Sequence, residues 1–133
     1  MKPVIWHVIF HPSKKWWARR FSHVSVAGWS NETWVHLDLS SDAFVAEVLY
    51  AYDEVNDFLG KMLLNTTIVK VRGEPRKSSY MRPMTCVNFV KHVIGLPSRA
   101  LLPDALFHDL VRNHSGEIMN EDPEVRGKRS VET

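Results

Sequence analysis

Apolar positions recur with two different periods along the 133-residue chain, and the switches between them mark the elements. Residues 3–10 (Pro3 to Phe10) form a run rich in branched and aromatic side chains and read as a buried strand. Ser22-His23-Val24-Ser25-Val26-Ala27-Gly28 alternates, meets a turn at Trp29-Ser30-Asn31-Glu32, and alternation resumes at Thr33-Trp34-Val35-His36-Leu37-Asp38-Leu39. This pattern predicts a hairpin. A turn centred on Ser30 would set His23 opposite His36 or Leu37. His36 and Asp38 share a face by the two-residue period of a strand.

The period then lengthens. Ser40 or Ser41 is expected to cap a helix over Asp42 to Tyr50, and Asp53 to Leu64 reads as a second helix weakened by Gly60. Thr66 to Arg72 reads as a strand, followed by a basic loop from Gly73 to Ser79. Thr85-Cys86-Val87-Asn88-Phe89-Val90-Lys91-His92-Val93-Ile94 reads as a short helix, with Thr85 as N-cap and Gly95 and Pro97 as the stop. A last helix begins at Pro103. The expected organisation is one α+β domain over residues 1–114, a small antiparallel sheet packed against a helix that carries a cysteine at its N-terminus. Residues 115–133, polar and charged, are expected to form a disordered tail.

Composition narrows the class without choosing a function. The chain has 44% hydrophobic and 24% charged residues, ordinary for a soluble domain with its own core. One cysteine excludes an internal disulfide. The apolar N-terminal run is too short to span a bilayer and lacks a signal-peptide cleavage site, so the expectation is a soluble chain without transmembrane segment or signal peptide, cytoplasmic or virus-encoded. A net charge of +2 favours no partner by itself. Local charge says more. Residues 11–21 interleave Lys14, Lys15, Arg19 and Arg20 with Trp16, Trp17 and Phe21, a composition that suits an anionic partner such as nucleic acid or one wall of a substrate cleft.

The cysteine gives the sharpest chemistry. A thiol in the first turn of a helix meets the positive end of the dipole and unpaired N–H groups, and both favour the nucleophilic thiolate. Cysteine catalysis also requires an imidazole in reach of the sulfur and a polar group to orient the ring. His23 is the candidate base, with His36 or, as the alternative, Asp38 as the third member. His92 follows Cys86 by six residues, about 240° around a helix, and faces away from it. His7, His11, His108 and His114 have no placement argument. His23, His36 and Asp38 could alternatively serve as metal ligands, but these three have no His-x-x-x-His spacing and there is no second cysteine to pair, and neither metal nor cofactor is expected.

The order of these motifs resembles a known group. Ser22-His23-Val24-Ser25-Val26-Ala27-Gly28, then His36, then Thr85-Cys86-Val87-Asn88-Phe89-Val90 looks like the circularly permuted papain-like fold of the permuted NlpC-type and lecithin:retinol acyltransferase-like cysteine hydrolases. In those proteins the histidine precedes a second polar residue, and the cysteine opens a later helix. The acyltransferase-like members usually carry Asn-Cys-Glu-His-Phe where this chain has Thr85-Cys86-Val87-Asn88-Phe89. The resemblance implies Cys86 as nucleophile, His23 as general base and His36 as third member. The implied activity is hydrolysis or acyl transfer on a peptide or other acyl substrate, a cell-wall peptide first among them. Trp16, Trp17, Arg19 and Arg20 are the candidate substrate-binding residues, and a non-catalytic module binding an anionic partner such as nucleic acid is the alternative.

Overall fold

The computed structural model describes residues 4–15, 17–30, 33–40, 43–73 and 85–120. Its frame is one antiparallel sheet of six strands with the spatial order β4-β3-β2-β1-β5-β6. The strands are β1 (Val4–Pro12), β2 (Phe21–Ser30), β3 (Thr33–Leu39), β4 (Phe44–Leu49), β5 (Thr67–Gly73) and β6 (Glu117–Ile118). Three helices, α1 (Tyr52–Asn65), α2 (Cys86–Ile94) and α3 (Pro103–Asn113), complete the α+β domain. None of the helices described is long and apolar enough to cross a membrane.

Strand alternation sorts the side chains onto two unlike faces. On one, Val8 and Phe10 of β1, Val24 and Val26 of β2, and Val69 and Val71 of β5 pack beneath Val87, Val90 and Ile94 of α2 and Leu106, Phe107 and Leu110 of α3. On the other, Ile9, Ala27, Trp34 and Ile68 pack beneath Val55 of α1, joined by Phe58, Leu59, Met62 and Leu63. Those five α1 positions follow the 3.6-residue period, so α1 lies on the sheet by one stripe. The first face is almost wholly apolar, whereas the second continues into His7, His11, Ser25 and His36.

Two contacts fix α2. Thr85 Oγ1 accepts a hydrogen bond from the Asn88 N–H at 3.1 Å, the expected N-cap. Gly95 adopts φ 72° and closes the C-terminus, a left-handed conformation in which glycine carries no steric penalty. Gly73 lies under this end of the helix. A Cβ there would fall 2.4 Å from the Ile94 carbonyl oxygen and 2.6 Å from the Trp6 ring. At the start of β2, the Asp104 carboxylate of α3 accepts from the Arg20 and Phe21 N–H groups at 2.9 and 2.7 Å.

Two expectations are corrected. The segment expected to be helical from Asp42 to Tyr50 forms the edge strand β4 over its described part, pairing Leu39 with Phe44 and Trp34 with Leu49. Ser40 does not cap a helix. Its Oγ donates to the Ala43 carbonyl and accepts the Ala43 N–H, closing a hairpin, after which Phe44, Val45 and Val48 extend along β3 as β-formers do. Residues 115–120, assigned to the tail, are structured. Glu117 pairs with Lys70, and Ile118 with Val69. The Asn120 amide accepts from the Ile68 N–H and donates to the Leu63 and Thr66 carbonyls, satisfying backbone groups where α1 turns into β5. The rest of the expected tail, 121–133, and the greater part of the basic loop after Gly73 lie outside the described residues.

Candidate active site

The ladder between β2 and β3 runs from Ser30↔Thr33 to Val26↔Leu37 and pairs Ala27 with His36. The hairpin centre therefore lies later than Ser30, and continuing the same register sets Asp38 level with Ser25, so His23, two residues further along β2, reaches Asp38 diagonally. A register irregularity between His11 and Pro12 in the β1–β2 ladder leaves Ser22 unpaired, next to His23. Such bulges commonly re-aim a neighbouring side chain.

Cys86 occupies the first turn of α2, half-buried against the face that holds Val24. Its thiol lies within hydrogen-bonding reach of the His23 imidazole and of the Val24 and Val87 N–H groups. His23 Nε2 is bonded to Asp38 Oδ1 at 2.5 Å, so the ring nitrogen left for the thiol is Nδ1. Sulfur, imidazole and carboxylate thus form one line. His23 and Asp38 are 25% and 29% exposed, which leaves solvent a route to the ring.

The electrostatics follow from this line. The bond with the Cys86 thiol pushes His23 up to about 9, opposed by partial burial and reinforced by Asp38. Burial acts on the Cys86 thiol upward. The His23 bond, the Val24 N–H, the imidazolium charge and the Val87 N–H act downward and prevail, so the thiol titrates below its ordinary range. An opposite charge and hydrogen bonds to the charged form are the terms that stabilise an ion pair.

A second polar chain runs beside the first. Ser25 Oγ, fully buried, lies 3.1 Å from His11 Nε2 and 3.1 Å from His36 Nε2. His36 Nδ1 faces Glu47 Oε1 at 3.4 Å, and its ring packs on Phe58 of α1. The His11 ring lies 5.3 Å, centroid to centroid, from that of His23. Burial, followed by the nearby His23 charge, pushes His11 down to about 4. Two adjacent imidazoles are thereby driven in opposite directions.

Of the residues singled out in the sequence, Cys86, His23 and Asp38 converge. His36 does not join them. It lies on the side of the sheet to which His23 and Asp38 belong but is bonded to Ser25 and covered by α1, because the register sets it opposite Ala27. A grouping with metal-ligand geometry exists, but its members are His11, His23 and Asp38 rather than His23, His36 and Asp38. His11 was missed because its signal is the pairing His11↔His23 across β1 and β2, which neither strand displays alone.

The aromatic–basic segment is divided. Trp16 lies outside the described residues, while Trp17 and Arg19 are exposed on the β1–β2 connection. The Arg20 guanidinium stacks over Phe21 and Phe107, 4.9 and 5.0 Å from the ring centroids, and so packs α3 onto the sheet. No family model, curated protein or solved structure matches the chain. What fold and site define unaided is an α+β domain carrying a cysteine–histidine–aspartate line.

Proposed function

We propose that the protein is a cysteine-dependent hydrolase or acyltransferase acting on an amide or ester, with Cys86 as nucleophile, His23 as acid and base, and Asp38 as the orienting group. The single observation behind this reading is the His23 ring, held by Asp38 on one nitrogen and turned to the Cys86 thiol with the other. Together these supply the three roles of thiol catalysis: an ionised nucleophile, a proton carrier in contact with it and a group that fixes the ring.

In the proposed cycle the Cys86 thiolate adds to the substrate carbonyl, and the N–H groups of the first turn of α2 face the developing oxyanion. His23 Nδ1–H protonates the leaving amine or alkoxide as the carbonyl re-forms, leaving a thioester on Cys86. The ring, now neutral at Nδ1, takes a proton from water as the hydroxide adds to the thioester. It keeps that proton as the adduct collapses to the carboxylic acid and the thiolate leaves, which restores the ion pair. Asp38 holds Nε2–H throughout and keeps Nδ1 aimed at the sulfur. A short acidic peptide, such as those of cell walls, is the first substrate to try, because Lys14, Lys15 and Arg19 are exposed on the β1–β2 connection, which leads into the strand that carries His23.

The test is a panel of electrophilic acyl probes read by intact-protein mass. The expected result is a single acyl adduct on the wild type and none on Cys86→Ala. No adduct on the wild type, or adducts that persist in Cys86→Ala, would sink the proposal. The exposed Trp17 beside Lys14, Lys15 and Arg19 favours a second reading, a module that holds an anionic partner such as single-stranded nucleic acid. That reading requires affinity that falls steeply with salt, and binding indifferent to ionic strength would remove it.

A further inference from the structure

Resting on the same reading of His23 but reaching beyond it, we propose that His11, His23 and Asp38 form an inhibitory zinc site on the side of the His23 ring turned away from the thiol. One ligand atom from each of the three lies within 4.8 Å of the other two. Two imidazoles and a carboxylate are a legitimate zinc set, with a fourth position left for water. Ligands of tetrahedral zinc stand ~3.3 Å apart. Rotation about the His11 and Asp38 side-chain bonds can take up the difference.

The polar chain behind His11 prepares it for this role. His36 Nδ1 is buried without a hydrogen-bond partner and points at the Glu47 carboxyl 3.4 Å away, so the tautomer with Nδ1–H toward those acceptor oxygens is favoured and Nε2 is left as acceptor. Ser25 then donates its hydroxyl proton to His36 Nε2, and its oxygen accepts from His11 Nε2–H. His11 is left with a bare lone pair on Nδ1. A metal-bound histidine whose distal N–H is held by a hydrogen-bond acceptor is the usual outer-shell arrangement. Ser25, His36 and Glu47 thus fix the tautomer of a ligand they do not touch through the metal.

The consequence concerns protons. Zinc takes the lone pair of His23 Nε2, and the proton that Nε2 had shared with Asp38 leaves to solvent. The ring keeps its other proton on Nδ1, facing Cys86. It can still donate a hydrogen bond to the sulfur, but giving that proton to a leaving group would leave an anionic imidazolate, so the ring no longer becomes the base that accepts a proton from water. Acyl transfer stops, while Cys86 remains open to alkylation. A metal bound through the thiolate would instead protect the sulfur.

The experiment titrates the full chain with Zn2+ alone by calorimetry, loads Co2+ for absorption spectroscopy, and follows iodoacetamide labelling of Cys86 with and without saturating Zn2+. The expected results are one equivalent of Zn2+, affinity at least tenfold weaker in His11→Ala and in Asp38→Asn, visible Co2+ bands without a thiolate charge-transfer band, and labelling that continues in zinc. Absence of binding, binding unchanged in both variants, a thiolate charge-transfer band, or a Cys86 protected by zinc would each overturn the proposal. The Co2+ spectrum and the labelling use wild-type protein, so the outcome does not depend on the variants folding. A metal-free thiol that labels no faster than free cysteine would count against the hydrolase reading while leaving the zinc titration to stand on its own.

Discussion

The two faces of the sheet make opposite use of the same strands. Beneath α2 and α3, β1, β2 and β5 present Val8, Phe10, Val24, Val26, Val69 and Val71, with no polar side chain among them. The neighbouring positions on β1, β2 and β3 turn His7, His11, His23, Ser25, His36 and Asp38 to the other side, where α1 covers only the half around Ala27 and Trp34. The apolar face supplies burial that holds α2 and, with it, the sulfur. The histidine face carries the groups of the proposed chemistry, and it leaves His7 Nδ1, Trp34 Nε1 and His36 Nδ1 buried without a hydrogen-bond partner, at a cost in stability. Stability and reactivity are therefore separable on this molecule, and substitutions on each side should reveal that.

The largest effect should come from the apolar face. Leu106→Ala, at a fully buried position of α3, should cost about 2–5 kcal/mol in denaturant unfolding. The labelling rate of Cys86 in the protein that remains folded should stay the same. A Leu106→Ala protein of full stability would mean that α3 does not carry the load assigned to it.

Next in size is the pH dependence of stability, which belongs to the histidine face. His23 is held up to about 9 in the native state and His11 down to about 4, while both titrate near 6.5 once unfolded. Below 6.5 the unfolded chain binds a proton on His11 that the native chain refuses, so stability falls as acid is added until about pH 4. Between about 6.5 and 8.5 the proton retained on native His23 is opposed by the easier ionisation of native Cys86, which flattens the slope. Above that plateau stability falls again as pH rises through about 9 and His23 gives up its proton. Urea midpoints from pH 4 to 9.5 should trace this plateau with two falling limbs, and His11→Gln should flatten the acid one. An acid limb as steep in His11→Gln as in the wild type would contradict the assignment.

A smaller effect separates the histidines from each other. His23→Ala should slow iodoacetamide labelling at neutral pH on the order of tenfold. A free thiol is only a few per cent ionised there, and the thiolate of a low-pKa cysteine is the weaker nucleophile. Asp38→Asn should move the rate in the same direction, whereas His36→Asn should leave it unchanged in folded protein. A His36→Asn protein that loses reactivity, beside an Asp38→Asn that does not, would restore His36 as the orienting residue. The smallest effect lies on the exposed side of α1. A Cβ on Gly60 meets nothing within 4 Å, so Gly60→Ala should stabilise α1 by about 1 kcal/mol without changing thiol reactivity.

What the sequence disclosed follows from the range of the interactions involved. Alternation in β1, β2, β3 and β5, the Thr85 cap and the Gly95 stop are local signals, and the structure carries them. The choice between His36 and Asp38 is not local. It depends on whether Ser30 is the centre of the hairpin or pairs with Thr33, a small shift that moves every facing residue. The proximity of His11 depends on the β1–β2 ladder in the same way. The apolar residues of segment 43–50 fit either period, and the free edge of β3 decides for a strand. Asn120 bonds backbone groups more than fifty residues earlier in the chain, which no polarity count over the tail could reveal.

The central claim is that the Cys86 thiol exists as a thiolate against a charged His23, and the rate of its alkylation as a function of pH tests it most directly. The ion pair predicts labelling that persists on the acid side of an ordinary thiol's titration and declines only at lower pH. A rate that instead tracks one ordinary thiol titration near 8.5, with little reaction at pH 6, would contradict it.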